Sequence, residues 1–419
     1  TNKHHFLHLG YLVPRWDLAV DGEVQDGGTI APLTIPPGGS EVVTIPMDAG
    51  PANTGSERML TLSFELARST PWADAGHEVA WEQFALPGPG PEGSGRRSDE
   101  AITTTTPGDE ARLSVVRDAT AGEAAEAAGQ LLVNDRATRL TVTAGELSVG
   151  FDKDSGRLVS IRRRDRELLQ RGPALNVWRA PTSNDEMNWL VCIAEIWRRA
   201  GYDTAATTVE EVASPEVTEG AVRVSVRSRL ARPDETVLLR VITDYRVHAN
   251  GEIAIDTHIK PEPGLPPLPR LGLQLTMPGG FETMTWYGRG PHESYVDRKA
   301  GARIGLYRGS VDEQFVPYIV PQENGNKSDV RWASLTDSNG TGLLFRAEQA
   351  MEFSAHHYTT KDLERAKHTY DLKRRDSITV NLDAGQSGIG NAKPTLDKYL
   401  LDATERRFSV RLLAVGGSP

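Results

Sequence analysis

Residues 176–186 form the first of three polar segments whose residue types could do chemistry on a ligand. They read Asn-Val-Trp-Arg-Ala-Pro-Thr-Ser-Asn-Asp-Glu. One amide precedes the aromatic side chain, and a guanidinium, a second amide and two carboxyl groups follow it. Such a loop could hydrogen-bond sugar hydroxyls, with Trp178 packed against the face of a sugar ring. The alternative is a structured loop over a buried tryptophan, and the residues alone favour that alternative.

The second segment, residues 286–295, places Arg289, His292 and Glu293 close together. It has a superficial likeness to a glycine-rich phosphate loop, but the third glycine, the lysine and the following helix of that motif are missing. A histidine beside a carboxylate could do acid–base work on a sugar. The alternative is a salt bridge between Arg289 and Glu293 that only fixes a loop, and we favour this structural interpretation.

The third segment, residues 321–332, is dense in hydrogen-bond donors and acceptors, as in a loop that faces a sugar or another domain. A solvated turn before a strand is the more ordinary explanation. His356 and His357 are also conspicuous, but adjacent residues of a strand point to opposite faces. A metal site shared by the two histidines is therefore disfavoured.

Glycoside hydrolysis by the usual retaining route needs two carboxyl groups roughly 5 Å apart on rigid elements. Glu186, Glu293 and Glu323 lie in the three polar segments, but nothing in the sequence pairs any two of them. We therefore assign no catalytic acid, nucleophile or metal ligand. The candidate substrate-binding residues are Arg179, Asn184, Asp185 and Glu186 of the first segment and Arg289, His292 and Glu293 of the second.

The elements that must position these segments are strands. Trp16, Leu18 and Val20 alternate before an Asp21-Gly22 turn, and residues 42–45 and 60–64 are further apolar runs bounded by turn signals. About seven short strands in under 100 residues are typical of an immunoglobulin-like sandwich. Residues 1–86 are therefore predicted to form such a sandwich, truncated at its N-terminal side.

Composition changes after residue 86. Pro87–Gly95 is rich in proline and glycine and continues into a charged and threonine-rich stretch, so residues 87–138 are predicted to be a linker or insert. Within it, Ala119–Gly129 could be a short helix or a mobile insert, and its glycines lower the helix propensity.

Residues 139–417 are predicted to form one large antiparallel domain. Period-2 runs such as residues 222–226 and 237–245 indicate long strands, and Asn250-Gly251 is a type I′ hairpin signal. One segment, Leu190–Ala200, has helical character. Two large sheets packed face to face fit this all-β pattern, and the lack of β-α-β alternation excludes a (β/α)₈ barrel from the chain.

Composition also limits the classes of partner that the chain is expected to bind. The 419 residues carry a formal net charge of -10, which disfavours nucleic acid. The sequence has no run of 18 apolar residues that could span a membrane. Cys192 is the only cysteine, which fits a reducing, cytoplasmic compartment. Thr1–Phe6 lacks a methionine and the apolar core of a signal peptide, so we interpret the chain as an excised or truncated piece. His4, His5 and His8 are weak evidence for a metal site.

Several segments occur in an order that matches a known family. Residues 69–84 contain Ala80-Trp81-Glu82-Gln83 near their end, and Gly288–Arg298 fits the pattern G-R-G-P-x-E-x-Y-x-D-R. The first stretch resembles the last strands of the fourth domain of the large glycoside hydrolase family 2 β-galactosidases. Landmarks that resemble those of their fifth domain follow in order at residues 176–186, 197–201, 286–298, 321–332 and 388–390. Together they span nearly the whole chain.

The resemblance implies an immunoglobulin-like fourth domain and a large fifth-domain β-sandwich similar to galactose mutarotase. It implies a parent enzyme that cleaves terminal β-D-galactose from galactosides such as lactose. The catalytic glutamates and the Mg²⁺ and Na⁺ sites of that family lie in or around a barrel domain, which would precede Thr1. The resemblance also implies that the loop at Asn184–Met187 closes over the active site, which places Asn184, Asp185 and Glu186 near substrate.

Two departures from the family limit what the resemblance carries. Glu186-Met187 stands where the family has I-G, so the loop is expected to move differently. Several members also have a tryptophan after the glycines that match Gly388-Ile389-Gly390, and it stacks on the aglycone sugar. No tryptophan follows here, so aglycone preference cannot be carried over.

We therefore expect the C-terminal, non-catalytic part of a cytoplasmic β-galactosidase. It would support the barrel of the same or a companion chain, lend a loop to the rim of a galactoside site and take part in homo-oligomer contacts. It would bind no cofactor of its own, no nucleic acid and no membrane. The alternatives are a stand-alone aldose epimerase that uses His292 and Glu293, and a carbohydrate-binding module.

Overall fold

Alternating apolar and polar residues form sheet in both parts of the chain, so the predicted all-β class is confirmed. The computed structural model describes residues 1–47, 56–86, 131–187, 192–218, 220–391 and 395–416. The chain divides into two compact units, Thr1–Arg117 with Arg303–Leu306, and Asp118–Ala302 with Tyr307–Pro419. Among the described residues, no helix is long and apolar enough to cross a membrane.

The strands are β1 (Leu12–Val20), β2 (Glu23–Thr29), β3 (Arg58–Leu66), β4 (Glu78–Leu86), β5 (Leu131–Asp135), β6 (Arg139–Ala144), β7 (Leu147–Asp152), β8 (Arg157–Arg163), β9 (Arg166–Glu167), β10 (Arg171–Asn176), β11 (Ala206–Val212), β12 (Glu216–Val217), β13 (Ala221–Ala231), β14 (Val237–His248), β15 (Ile253–Pro261), β16 (Arg270–Met277), β17 (Thr283–Gly290), β18 (Arg303–Ser310), β19 (Lys327–Thr336), β20 (Gly342–His356), β21 (Ile378–Gln386) and β22 (Arg406–Val415). The helices are α1 (Ile193–Ala200) and α2 (Thr360–Arg365), and short 3-10 helices lie at Leu9–Tyr11, Asp312–Gln314, Thr369–Asp371 and Asp397–Tyr399.

The first unit contains an antiparallel sheet with strand order β2-β1-β3-β4. Trp16 lies opposite Leu62 and Leu18 lies opposite Leu60, and all four side chains are buried. Because side chains alternate between the two faces of a strand, the period-2 pattern places these residues on one face, which forms the core of the unit.

Two features between the strands of this sheet test the sequence analysis. Asp21 and Gly22 have φ angles of 50° and 91°, as a two-residue type I′ hairpin turn requires, so the predicted turn is confirmed. Residues 42–45, in contrast, form no strand. Val43 and Ile45 pack partly against the core while Val42 is 96% exposed, so apolar character there reflects loop packing and not sheet pairing.

The second unit contains two antiparallel sheets. The smaller has the order β5-β6-β7-β8-β9. The larger follows the path β10-β16-β21-β20-β22-β15-β14-β13-β11, with β12 paired to β13 and with β17–β19 joined through the pairing of β19 with β20. The large sheet therefore combines pairings of consecutive strands, such as β13 with β14 and β14 with β15, with pairings of distant strands, such as β10 with β16 and β15 with β22.

One hydrophobic core in this unit draws on both sheets. Phe151 of the smaller sheet packs edge-on against Tyr245 of the larger one, with ring centroids 5.4 Å apart. Val149 and Val247 are fully buried in the same cluster. Since the inward residues of both sheets meet in one cluster, the predicted face-to-face packing of two sheets is what the structure has.

The hairpin between β14 and β15 was predicted correctly in place but not in turn type. Gly251 has φ of 85°, and its amide donates to the His248 carbonyl at 2.9 Å, while Asn250 is not in the left-handed region. The loop Ala249-Asn250-Gly251 therefore has three residues, which favours a type I turn that ends in a left-handed glycine. A type I′ turn would need only two.

The predicted linker, residues 87–138, lies mostly outside the described residues, and so does Ala119–Gly129. Its last part is sheet, because residues 131–135 form β5 and pair with β6 along their whole length.

Helix α1 occupies most of the segment with predicted helical character. Ala194 and Trp197, three residues apart, are fully buried and form the apolar face of the helix. The helix ends at Gly201, whose φ of 82° is the left-handed conformation common after a helix C-terminus. The amide of Ala194 donates to the Asp185 carbonyl at 3.1 Å, so α1 also holds the end of the first polar segment.

Candidate functional site

A buried ion pair holds the first polar segment. Nη2 of Arg179 lies 3.0 Å from Oδ1 and 3.1 Å from Oδ2 of Asp185, and the exposed fractions of the two residues are 0% and 1%. Thr182 closes the loop between them, since its amide donates to Asp185 Oδ2 at 2.8 Å and its hydroxyl accepts from the Asp185 amide at 3.1 Å. These contacts make the turn 182–185 a closed hydrogen-bonded unit.

The same arginine binds the segment that follows β21. Its Nη2 donates to the Gly388 carbonyl at 3.0 Å and its Nη1 donates to the Ser387 carbonyl. Its guanidinium also lies over the indole of Trp197, 5.2 Å from the ring centroid. Arg179 therefore joins three landmark segments that are far apart in sequence, and its charge is matched by Asp185, two carbonyls and a ring face.

Trp178 does not face solvent. It is 8% exposed, and its ring meets that of Trp197 edge-on at 6.4 Å between centroids. The structure therefore supports the alternative of a structured loop over a buried tryptophan, and not a ring that stacks on a sugar in this chain.

Residues 388–390 are held from two sides. Asn184 donates through Nδ2 to the Ile389 carbonyl at 3.0 Å. Asp297 accepts from the Ile389 amide at 3.1 Å and from the Gly390 amide at 2.7 Å. A Cβ on Gly388 would lie 2.6 Å from Cγ of Asp297, so glycine is required for this close approach.

The third polar segment reaches the same place. The amide of Ser183 donates to Oε1 of Gln322 at 2.9 Å, and the amide of Glu323 donates to the Ala180 carbonyl at 3.0 Å. All five landmark segments of the second unit thus meet around Arg179. Each segment can be recognised singly in the sequence, whereas the structure shows that the five build one site.

A second buried arginine lies beneath the third segment. Arg270 is 1% exposed, with Nη2 2.9 Å from Oε1 of Glu323 and Nε 2.8 Å from Oδ2 of Asp383. Sequence reasoning missed Arg270, Asp383 and Asp297 as members of the site. The available signal was a single charged residue in each of two strands that carry no other charge, Arg270 in β16 and Asp383 in β21.

The solvent-facing part of the first segment is small. Ser183 and Glu186 are exposed and Asn184 is half-buried. Glu186 pairs with Arg198 of α1, with Oε2 3.0 Å from Nη1. The arrangement can therefore present one hydroxyl, one amide and one ion-paired carboxylate to a ligand or a neighbouring domain, on a base that Arg179 keeps rigid.

Arg289 binds one aspartate and two backbone carbonyls. Its Nε lies 2.5 Å from Oδ2 of Asp329, and its Nη1 donates to the carbonyls of Ala302 at 2.7 Å and Lys299 at 3.2 Å. The alternative salt bridge between Arg289 and Glu293 does not form. The two side chains take different partners because Asp329 occupies the guanidinium of Arg289.

Glu293 and His292 lie at a cavity of about 410 Å³, which is also lined by Arg298, Tyr318 and Lys327. The Glu293 carboxylate accepts from the Arg298 guanidinium, the Tyr318 hydroxyl and the Gly325 amide, the last at 2.8 Å. His292 is exposed at the edge. Three donors therefore engage the two oxygens of the Glu293 carboxylate.

The three loop carboxylates named in the sequence analysis remain separate. Glu186 pairs with Arg198, Glu293 with Arg298, and Glu323 with Arg270. Each carboxylate is thus committed to a different arginine.

The two adjacent histidines have different surroundings. Nε2 of His356 lies 2.9 Å from the Asn324 carbonyl, while Nε2 of His357 lies 2.7 Å from Glu282. His357, Glu282 and Asp312 form a group with metal-ligand spacing within the described ranges. Arg374 already lies among them, 2.9 Å from His357 Nε2, 3.2 Å from Glu282 and 3.0 Å from Asp312. This group is therefore an ion-pair network around a guanidinium.

Comparisons with known families agree with this arrangement. Residues 143–412 match the family model described as beta galactosidase small chain, and residues 1–87 match the model described as beta-galactosidase, domain 4. The beta-galactosidase of Priestia megaterium is 34% identical over 390 residues, and that of Actinobacillus pleuropneumoniae is 28% identical over 415 residues. These alignments cover 93% and 97% of this chain.

The chain belongs to the β-galactosidase small-chain family. It carries the domain 4 and small-chain regions in order and fits the C-terminal part of a β-galactosidase. It spans 34% and 37% of the length of the two relatives. A galactose 1-epimerase from Lactobacillus acidophilus aligns with 69% of this chain and 99% of its own, at 8% identity and a TM-score of 0.38, which is too weak a likeness to support an argument.

Proposed function

We propose that this chain supports the catalytic barrel of a β-galactosidase and supplies part of the rim of its active site. The observation that carries the proposal is the loop 182–185, which is closed on the buried Arg179–Asp185 pair, exposes Ser183 and is followed by the exposed Glu186. A loop that is locked at its base and polar at its tip suits the positioning of sugar hydroxyls. Family membership supplies the enzyme in which such a rim would act.

The reaction we propose for the assembled enzyme is hydrolysis of terminal β-D-galactose from β-galactosides such as lactose. The catalytic carboxylates would come from the barrel. This is supported by the state of Glu186, Glu293 and Glu323, each of which is paired with its own arginine. Arg179, Asn184, Asp185 and Glu186 would act at the rim, with Arg179 and Asp185 as positioning residues beneath it.

The proposed partners follow from the same assignment. They are a barrel domain on the same or a companion chain, a galactoside and further copies of the protein, with the Mg²⁺ and Na⁺ sites in the barrel. We propose a cytoplasmic location, which the single cysteine supports, and no binding to nucleic acid or membranes, which the net charge of -10 supports. Hydrolysis by the assembled enzyme should therefore depend on Mg²⁺, whereas the folding of this chain should not.

A chimeric enzyme tests the proposal. The region of the Priestia megaterium beta-galactosidase that this chain matches is replaced by this chain, and hydrolysis of a chromogenic β-galactoside is measured. We expect turnover by the chimera and none by the purified chain alone. Turnover that tracks the concentration of the chain alone, or a folded and assembled chimera without turnover, would contradict the proposal.

The aldose epimerase alternative receives less support from the geometry. It would need Glu293 as a base, and three donors hold that carboxylate. Polarimetry of galactose anomerisation decides the matter. A rate above buffer that is lost in Glu293→Gln would establish an epimerase, and a rate equal to buffer is expected.

A further inference from the structure

Lys327 is a buried ammonium whose hydrogen-bonding capacity is unused. It is 2% exposed and lines the cavity beside Glu293. Across the part of the chain that the structure describes, no side-chain hydrogen bond or ion pair within contact distance involves its Nζ. A buried charge without a partner is costly, so a group with three free donors that faces a cavity points to something that enters the cavity.

Two neighbours allow the charge to persist in the apo chain. Nζ lies 5.1 Å from the centroid of the Trp286 ring, which attracts a cation through its π face. Burial lowers the pKa of Lys327 to about 8, and the charge of Glu293 opposes that shift. The side chain is therefore mostly protonated at neutral pH, although it is largely removed from water.

Most of the groups at the cavity that are still free to form hydrogen bonds are donors. The Glu293 carboxylate and the Tyr318 hydroxyl are engaged with each other and with Arg298. Arg298 uses only Nη2 in these contacts, and its side chain is half exposed. Together with Lys327 and the exposed His292, it offers donors and positive charge to an incoming ligand.

Two features limit the ligand. A volume of about 410 Å³ is within the range of small-molecule pockets. Glu313, whose carboxylate accepts from the Ser310 amide at 2.6 Å, is an exposed acid at the cavity edge and disfavours a highly charged polyanion. The ligand should therefore be small and carry one oxyanion group.

We propose that this cavity binds a small molecule through one carboxylate or phosphate group, with Lys327 as the anchor and Arg298 and His292 at the entrance. The site goes beyond the proposed function, because neither sugar hydrolysis nor barrel support requires an anion here. Its test uses binding to the chain alone, so a failed chimera experiment and a failed binding experiment remain distinguishable.

The experiment is calorimetric titration of the purified chain with inorganic phosphate, with D-gluconate, and with sorbitol as the uncharged match to gluconate. We expect saturable binding of at least one of the anions and none of sorbitol. Binding of phosphate alone would assign a phosphate-bearing ligand, and binding of gluconate alone would assign a carboxylate-bearing one. Flat titrations with both anions, or equal binding of sorbitol, would overturn the proposal.

Variants locate the site. Lys327→Met keeps the length of the side chain and removes its charge, so the anion affinity should fall by about tenfold or more, the equivalent of one strong charge-assisted contact. The matched control is Lys398→Met, since Lys398 also lies over an aromatic ring, 4.7 Å from that of Tyr399, but is exposed and outside the cavity. Unchanged affinity in a folded Lys327→Met variant would overturn the assignment.

A second measurement uses the native chain and does not depend on the folding of a variant. The native chain is treated with cyanate, which carbamylates lysines, and modification of Lys327 is followed by peptide mass spectrometry. Saturating anion should slow modification of Lys327 and leave that of Lys398 unchanged. Equal slowing at both lysines, or at neither, would contradict the proposal.

Discussion

Both carboxylate oxygens of Asp185 lie within 3.1 Å of Nη2 of Arg179, in a part of the second unit from which water is excluded. A buried pair of this kind adds little net stability compared with an apolar pair, but the loss of one member is costly because the other charge remains. The pair therefore serves to specify the position of the loop.

Asp185→Asn should destabilise the second unit by about 3 kcal/mol, because the Arg179 charge is left buried without its counter-ion. Urea unfolding followed by the fluorescence of Trp178 and Trp197, which lie beside the pair, measures the change. The control is Glu195→Gln, which removes an exposed pair with Arg199 and should cost less than about 1 kcal/mol. Equal losses in both variants would contradict this account.

Gly388→Ala should destabilise the segment at residues 388–390 by about 1–3 kcal/mol, since the new methyl group would overlap the Asp297 carboxyl. Gly301→Ala is the matched control, because nothing lies within 4 Å of a Cβ there and its φ is not positive. Thermal unfolding compares the two variants. A Gly388→Ala variant as stable as Gly301→Ala would show that Asp297 yields without cost.

Asn184→Ala should lower kcat/KM of the assembled chimera by about tenfold, because the rim loop loses its hydrogen bond to the Ile389 carbonyl. A tenfold loss corresponds to roughly 1.4 kcal/mol of transition-state stabilisation. Its effect on unfolding should stay near 1 kcal/mol, the size of a single hydrogen bond. Asn250→Ala removes a comparable side-chain bond, to the Glu252 amide, in an exposed turn and should leave kcat/KM unchanged. Equal kinetic effects would refute a special role for Asn184.

Glu352 should make stability depend on pH. Burial raises the pKa of its carboxyl from 4.5 to about 7, and the Asn326 amide and the Ser328 hydroxyl oppose this shift. The native state then holds a proton that the unfolded chain releases, so stability is greatest below 4.5 and falls as the pH rises to about 7. The slope is at most about 1.4 kcal/mol per pH unit.

Glu352→Gln should reduce that dependence and be more stable than the parent chain above the folded-state pKa. Part of the slope should remain, because burial also raises the pKa of the Asp383 carboxyl to about 7. Glu348→Gln, on the same strand but with 58% of its side chain exposed, is the control and should leave the slope unchanged. Urea unfolding across the pH range measures both variants. A slope in Glu352→Gln equal to that of the parent chain would contradict the assignment to Glu352.

Local patterns were sufficient for the parts of the fold that neighbouring residues determine. The alternation at Trp16 and Leu18 and the turn at Asp21-Gly22 need only period and φ preference. The helix around Trp197 follows from spacing and the glycine at 201. These features do not depend on which distant strands pair.

The site depended on pairings that no local pattern contains. Arg270 meets Asp383 because β16 and β21 are neighbours in the large sheet, although the two strands are far apart in sequence. The proximity of Arg289 and Glu293 in sequence suggested a mutual salt bridge, but tertiary contacts gave each a different partner. Similarly, the hydrogen-bond density of residues 321–332 revealed a polar loop without showing that Lys327 would be buried and unpaired.

The segment at residues 387–390 is held by hydrogen bonds to its main-chain groups. Arg179 binds the carbonyls of Ser387 and Gly388, and Asp297 binds the amides of Ile389 and Gly390. Peptide groups are the same in every sequence, so the path of this segment survives replacement of the side chains that come after it. A protein engineer could therefore randomise the side chains beyond Gly390 while the anchor stays in place.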